Sequence, residues 1–275
     1  MPELPEVETI KNELLPYVEG KTITDVKLIW EGIVRGITPD KFRRHLIGQK
    51  IVSLGRRGKY LIFNLSGREK LVGHLKLSGA LLIKKTGYEP ERFARAIICF
   101  DNGTDLQLCD PRKFARLWLT TDPTLATGKL GPEPLTAEFS LKWFRDHLKH
   151  HSTLIKPLLL DQKFIAGVGN MYADEALFEA KIHPARPTDS LVSEEINKLY
   201  YAIIKVLKKG ISEKGASVQN YLRPGGEKGT AHQGFKVAHR RGEKCVTCAR
   251  TLAYIKLRGR GTYFCHYCQP EKPQK

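Results

Sequence analysis

The opening stretch MPELPEVET sets an amine-bearing residue, Pro2, beside two carboxyls, Glu3 and Glu6. Pro2 is small enough for Met1 to be clipped by ordinary processing, which is expected to leave a free secondary amine. An α-amino group titrates at roughly 7.7–8.0, far below a lysine at about 10.4, so it is substantially neutral near physiological pH. Such an amine can attack a carbonyl-like carbon and form an iminium. Neighbouring carboxyls can carry the proton that the step requires. The competing reading is structural, because acidic residues at a helix N-terminus are stabilised by the helix dipole. Spacing alone favours the structural reading, and the rest of the chain reverses that preference.

A second set of reactive residues closes the chain. Cys245, Cys248, Cys265 and Cys268 form C-x2-C, sixteen intervening residues and C-x2-C, the spacing of a four-thiolate zinc site. One structural Zn2+ is expected there, supplying folding energy to a small unit. Two disulfides are the alternative, a weak one in a reducing cytosol. Cys99 and Cys109 lie in apolar, strand-like surroundings and read as inert core thiols.

These groups sit on a 275-residue chain whose formal net charge is +17. So large a surplus speaks of partners more than of fold. Nucleic acid leads, since neutralising phosphates releases counterions; an anionic membrane surface is the alternative. No apolar run reaches the roughly 18 residues of a membrane span, and no basic-then-apolar leader is present. A soluble, intracellular protein with no membrane partner is expected. With 41% hydrophobic residues, a core can be buried.

The elements that must position the chemistry follow from periodicity. Residues 5–15 read as a helix with Val7, Ile10 and Leu14 on one stripe, ended by Pro16 and Gly20. One buried face would fix the residues just before it. Residues 21–120 read as mainly β, with apolar runs near 22–30, 50–54, 59–65, 70–76, 80–84, 95–101, 104–109 and 115–120. Asn102-Gly103 is a good hairpin turn. Many short strands with a flanking helix predict a β-sandwich. Polar residues interrupt it: Lys59 at the start of a strand in RRGKY, His74 in GHLKLSG, Arg112 and Phe114 in DPRKF. Lys59 could guard a sheet edge, His74 could be a satisfied core histidine, and Phe114 ordinary core. An arginine next but one to an aromatic also suits distorted DNA, where an apolar ring enters a base step.

LGPEPLT at 130–136 reads as a linker, after which 138–151, 153–161, 171–180 and 191–213 read as helices. Between two of them IAGVGNMY permits a sharp turn, and Asn170 is a plausible N-cap or part of a phosphate-binding helix start. The Gly-rich stretch 214–235 has few apolar anchors and reads as a mobile loop of the kind that serves as a lid. In the last forty residues the cysteine pairs are joined by a hairpin carrying Lys256, Arg258 and Arg260, and a basic β-hairpin can enter a DNA groove. The tail after Gln269 reads as disordered.

PELPEVE, RRGKYL, DPRKF, LGPEPL, IKPLLLDQ, GVGNMYADE and RGTYFC, in this order, resemble the formamidopyrimidine-DNA glycosylase family along nearly the whole chain. Leu4 favours this purine-repair branch over the sister endonuclease VIII family, which usually has glycine after the first glutamate. The resemblance implies an α+β multidomain fold: an N-terminal catalytic β-sandwich over 1–130, a helical helix–two-turn–helix DNA-binding domain over 131–225 and a C-terminal four-cysteine zinc finger over 236–270. It implies a bacterial, cytoplasmic, nucleoid-associated monomer that acts on double-stranded DNA holding oxidised bases or abasic sites. Pro2 would attack C1′ of the damaged nucleotide and Glu3 would act as general acid and proton shuttle. Lys59 would assist at the phosphates and in β-elimination, and Arg260 in δ-elimination. Lys156 and Asn170 would contact the backbone around the lesion, and His74 would also face DNA. Leu77, Arg112 and Phe114 would fill the space left by the extruded base, since the target must leave the stack. Departures are Leu77 for the usual methionine, Phe93 for a histidine, His151 for a lysine, and Ala238 with His239 for a tyrosine-glycine pair; the lesion-capping loop 217–221 varies within the family. The alternatives are an oxidised-pyrimidine glycosylase of the endonuclease VIII type and a damaged-DNA-binding protein without catalysis.

Overall fold

Leu4, Val7, Ile10, Leu14 and Val18 recur at three- and four-residue steps, and all are buried along helix α1, Leu4–Val18. Pro5, Glu6 and Thr9 are buried too, so the first turn of the helix is covered all round and its later turns are pinned by one apolar face. Its start is locked by a capping box: the Glu3 N–H donates to Glu6 Oε2 at 2.8 Å, and the Glu3 side chain accepts from the Glu6 N–H. Two orphan amides of the first turn are thereby satisfied. The expected stop at Pro16 is corrected, because Pro16 lies inside the last turn, where its missing N–H costs the helix one bond. Gly20, at φ +75°, turns the chain instead.

The computed structural model describes residues 1–218 and 220–271 and divides into two units, Met1–Lys129 with Glu213–Thr230, and Leu130–Ser212 with Ala231–Lys275. In the first unit α1 is followed by β1 Ile23–Leu28, β2 Val34–Arg35, α2 Pro39–Leu46, β3 Ile51–Arg57, β4 Tyr60–Leu65, β5 Lys70–His74, β6 Ala80–Lys85, β7 Ala94–Phe100, β8 Thr104–Cys109, β9 Arg116–Thr120 and the single turn α3 Thr124–Thr127. The strands form two sheets, β1-β7-β8-β6 and β2-β9-β5-β4-β3. Phe63, Leu71 and Leu117 of one sheet meet Leu81, Ile98 and Leu106 of the other, which is the expected sandwich. Alternating burial along β4 shows why: Leu61, Phe63 and Leu65 point into the core, as a period of two requires.

Each apolar run of the sequence became a strand. β2 and α2 were not foreseen. β2 has two residues and no period to read. α2 buries only Phe42 and Leu46, although its start was signalled by Thr38, whose hydroxyl accepts from the Lys41 N–H, and by Pro39 in the first turn.

The second unit carries α4 Leu141–Lys149, α5 Ile155–Leu160, α6 Asn170–Glu179, α7 Ser193–Ser212 and the hairpin β10 Ala253–Leu257 with β11 Arg260–Phe264. Phe139 stacks on Tyr200 of α7 and meets Phe144 of α4. Phe178 of α6 packs with Val237, Cys245, Leu252 and Cys265, so the cysteine module is rooted on a helix. The linker reading of 130–136 is corrected: the Gly131 N–H donates to the Gln162 carbonyl at 2.9 Å, and Glu133 is buried. A Cβ at Gly131 would come within 2.3 Å of the Phe164 carbonyl oxygen, which explains a glycine there.

Candidate active site and nucleic-acid interface

In the first unit, Pro2 and Glu3 lie buried at the start of α1. Of the two carboxyls near Pro2, Glu6 is taken up as a clamp: Oε2 accepts from the Glu3 N–H and Oε1 from the Ala216 N–H, both at 2.8 Å. The Glu3 side chain, next to Pro2 in sequence, accepts from the Glu6 N–H in return. Gly215 makes the clamp possible. Its φ is +76°, and a Cβ there would come within 2.9 Å of Glu6 Cγ.

The Gly-rich stretch is better anchored than its composition suggests, and the expectation of few anchors is corrected. Ala216 pairs with Thr230. The Ser217 hydroxyl donates to the Tyr221 carbonyl at 2.8 Å and accepts from the Gly229 N–H at 2.9 Å. Arg223 grips Glu13 through three hydrogen bonds of 2.6–2.9 Å. The Ile83 N–H of β6 donates to the Pro224 carbonyl. Tyr221 is buried, and burial, with the charges of Glu6 and Glu13 added, pushes its phenol upward. Gln219 of the 217–221 loop, and 272–275 of the tail read as disordered, lie outside the described residues.

Lys59 sits in the two-residue turn that joins β3 to β4, beside Gly58 at φ +57°, and is buried. It precedes the strand rather than opening it. His74, at the end of β5, is buried too: its Nδ1 accepts from the Lys76 N–H at 2.9 Å and its ring meets Tyr60 edge-on at 4.4 Å. Burial lowers its pKa to about 3, helped by the charges of Lys76 and Lys59. The ring is thus neutral at pH 7, with its proton on Nε2 as a donor.

Leu77, Arg112 and Phe114 are exposed on two loops of this unit. Phe114 is 38% exposed and Leu77 39%, and the Arg112 guanidinium lies 4.7 Å from the Phe114 ring centre. The ordinary-core reading of Phe114 is corrected. An exposed arginine–aromatic pair offers flat faces on which another ring can stack. Phe93 is also exposed, in a left-handed conformation at φ +71°, with Arg92 over its ring at 4.7 Å.

In the second unit, Lys156 of α5 is fully buried and ion-paired to Asp174 of α6 at 2.7 Å. It also donates to the Gly261 carbonyl and the Thr262 hydroxyl of the hairpin, at 2.9 and 2.8 Å. Its charge is spent inside the unit, tying α5, α6 and β11 together. Burial pushes the Asp174 carboxyl up to about 7 against the pull of Lys156. Asn170 opens α6, but the cap position belongs to Gly169, so the N-cap expectation is corrected. The Asn170 amide instead donates to the Gly261 carbonyl at 2.9 Å, and its Oδ1 is buried with no partner among the described residues. Glu175, not singled out in the sequence, accepts the N–H groups of Lys236, Val237 and Ala238 at 2.8–3.0 Å. Three consecutive amides on one carboxylate is a contact that only the fold reveals.

The hairpin turns at Arg258-Gly259, both with positive φ, the turn that matches strand twist. Lys256, Arg258 and Arg260 are exposed. Arg258 and Arg260 line a cleft of about 300 Å³ together with Pro157, Leu160 and Asp161.

The Sγ atoms of Cys245, Cys248, Cys265 and Cys268 all lie within 4.8 Å of one another, and none is in a disulfide. Cys245–Cys268 and Cys248–Cys265 are 3.8 and 3.5 Å apart. Four thiolates about 2.3 Å from a tetrahedral centre would stand about 3.8 Å from each other, so the donor set fits a metal ion. The disulfide alternative would need about 2.05 Å.

A two-sheet unit opened by a capped helix, and a helical unit closed by a four-cysteine hairpin, define an Fpg-like fold. The formamidopyrimidine-DNA glycosylase N-terminal domain model matches residues 1–117, and the formamidopyrimidine-DNA glycosylase H2TH domain model matches residues 130–221. The formamidopyrimidine-DNA glycosylase of Chloroflexus aurantiacus is 42% identical over 272 residues, spanning 98% of both chains. A single-residue mutant of the Lactococcus lactis Fpg in complex with a Fapy-dG-containing DNA superposes with a TM-score of 0.91 at 36% identity, covering 98% of this chain and 100% of that one. The wild-type Lactococcus lactis Fpg with an oxidised-pyrimidine-containing DNA gives 0.90 at 36% identity, over 98% and 100%. The chain belongs to the formamidopyrimidine-DNA glycosylase family.

Proposed function

We propose that this protein is a bifunctional DNA glycosylase and abasic-site lyase of base excision repair, which removes oxidised purines such as 8-oxoguanine and formamidopyrimidines. The observation that carries the reading is the buried Pro2–Glu3 pair at the head of α1, held by the Glu6 clamp, in a chain of this family.

The Pro2 nitrogen, freed of Met1, attacks C1′ and the bond to the damaged base breaks, the base leaving with the bonding pair; the nitrogen then loses its proton, the C1′–O4′ bond opens as O4′ takes a proton, and the ring-opened sugar is left joined to Pro2 as an iminium. Glu3 supplies and returns the proton on the sugar. Lys59 assists at the phosphates and in β-elimination of the strand, and Arg260 grips phosphate and assists δ-elimination. Neutral His74 offers Nε2–H as a donor to DNA. Leu77, Arg112 and Phe114 occupy the gap left in the stack. Asn170 belongs to the same DNA-facing set. Lys156, inside the unit, acts on the backbone contacts through the hairpin it holds. We assign the four thiolates one zinc ion, which contributes folding energy to the hairpin module. The chain is read as a catalytic sandwich, a helix–two-turn–helix domain and a zinc finger, acting as a monomer on double-stranded DNA within the bacterial cytoplasm. No helix among the described residues is long and apolar enough to cross a membrane.

The test is borohydride trapping on a duplex with 8-oxoguanine opposite cytosine, with intact mass confirming loss of Met1. A covalent adduct is expected, and a processed protein that gives none ends the proposal. Excision of thymine glycol measured beside 8-oxoguanine decides between purine and pyrimidine preference.

A further inference from the structure

One buried carboxylate ties together the two loops that carry Leu77, Arg112 and Phe114. Asp110 is fully buried at the end of β8. Its Oδ1 accepts from the Ser78 hydroxyl at 2.5 Å and from the Arg112 N–H at 3.1 Å. Its Oδ2 accepts from the Phe114 N–H at 2.6 Å and the Ala115 N–H at 2.7 Å. The backbone of Asp110 is held as firmly, with its N–H donated to the Phe93 carbonyl and its own carbonyl accepting from Arg95 Nε at 2.8 Å.

We propose that Asp110 is a positioning residue that sets the spacing between Leu77 and the Arg112–Phe114 pair, and so governs how well this surface replaces an extruded base. The proposal rests on the reading of those three side chains as gap fillers. Ser78 is the neighbour of Leu77, so one carboxylate oxygen reaches both loops at once. The loops need such a tie because each carries a non-glycine residue in the left-handed region, Lys76 at φ +53° and Lys113 at φ +57°. Residues of that kind persist where surrounding bonds over-determine them. An ionised acceptor makes shorter and stronger hydrogen bonds than a neutral one. Three of the four groups facing the carboxylate are backbone N–H donors, at least one on each oxygen, and only the Ser78 hydroxyl could turn to accept. Whichever way the amide of an Asp110→Asn variant turned, its NH2 would confront at least one backbone N–H.

The experiment compares Asp110→Asn, Ser78→Ala and Arg112→Ala with the wild type, on an 8-oxoguanine duplex and on a preformed abasic duplex. Base extrusion is followed by 2-aminopurine fluorescence beside the lesion. Ser78→Ala removes a single bond of the four and stands in for Asp110→Asn if that variant does not fold. Asp110→Asn and Ser78→Ala are expected to slow extrusion and excision of 8-oxoguanine about tenfold or more, the kinetic equivalent of losing one charge-assisted hydrogen bond. Borohydride trapping on the abasic duplex, where no base must be displaced, is expected to hold at the wild-type level. Equal losses on both duplexes would reduce Asp110 to a general support of the fold and overturn the proposal. Wild-type extrusion in both variants, with Arg112→Ala slowed, overturns it while sparing the gap-filling reading. Wild-type extrusion in Arg112→Ala removes that reading and the proposal with it.

Discussion

Glu6 accepts the Ala216 N–H at 2.8 Å across 210 residues of sequence. Its other oxygen holds the amide of Glu3. One carboxylate therefore ties the head of α1, where the amine chemistry is proposed, to the Gly-rich stretch that returns late in the chain.

Glu6→Ala should destabilise the protein by about 1–3 kcal/mol for each buried amide left without an acceptor. Glu6→Gln should cost less, because one oxygen remains. Urea midpoints at constant slope measure the loss. A Glu6→Ala midpoint equal to that of the wild type contradicts the clamp.

His74 makes stability fall with acid. Its pKa is lowered by burial to about 3, against about 6.5 in an unfolded chain. The unfolded chain takes up a proton that the folded chain refuses, so stability drops as pH falls from 6.5 toward 3, by about 2 kcal/mol at pH 5. At pH 7 and above the effect is absent. His74→Asn keeps an acceptor for the Lys76 amide and does not titrate. Its denaturation midpoints between pH 7 and 4 should fall less steeply than those of the wild type.

The buried pair Lys156–Asp174 should behave asymmetrically. Lys156→Met leaves the Asp174 carboxyl uncompensated in the interior, which typically costs about 3–5 kcal/mol. Lys156→Met with Asp174→Leu should recover part of that, since the apolar pair removes the buried charges but takes one partner each from the Gly261 carbonyl, the Thr262 hydroxyl and the Tyr263 N–H. A double-mutant cycle on thermal unfolding reads the coupling. Additive losses would mean that the two groups do not share their burial.

Metal removal should act on the hairpin module. Cys248→Ser, or a strong chelator, is expected to lower bound zinc from one per chain and to abolish DNA retention, because such modules fold on their metal. Metal analysis of the purified protein, with electrophoretic mobility of an abasic duplex, checks both. Retention that survives complete loss of metal argues that Arg258 and Arg260 are held by α5 and α6 alone.

Much of this molecule was legible from residues near one another in the chain. The stripe Val7, Ile10, Leu14 marked α1, alternation marked the strands, Asn102-Gly103 marked a hairpin, and the C-x2-C pairs marked the four-thiolate cluster. The misreadings were places where local signals were weak or were overruled by contact. Phe42 and Leu46 alone gave α2 too little apolar pattern. Gly131 looked like a linker residue until the Gln162–Phe164 turn was packed against it, and Glu133 is buried beside it in sequence. Asn170 had the identity of a cap, yet its amide turns to Gly261. Nothing near Lys156 in the chain announced its burial against Asp174.

What the sequence by itself determined was the kind of element that the strongly patterned segments form and the kind of chemistry their residues can do, because periodicity, turn propensity and ligand spacing are set within a few residues. Only the tertiary structure decided which carboxylate does what. Glu3, Glu6, Asp110, Asp174 and Glu175 are the same functional group in the sequence, and they differ in the donors that the folded chain brings to them and in the water it takes away.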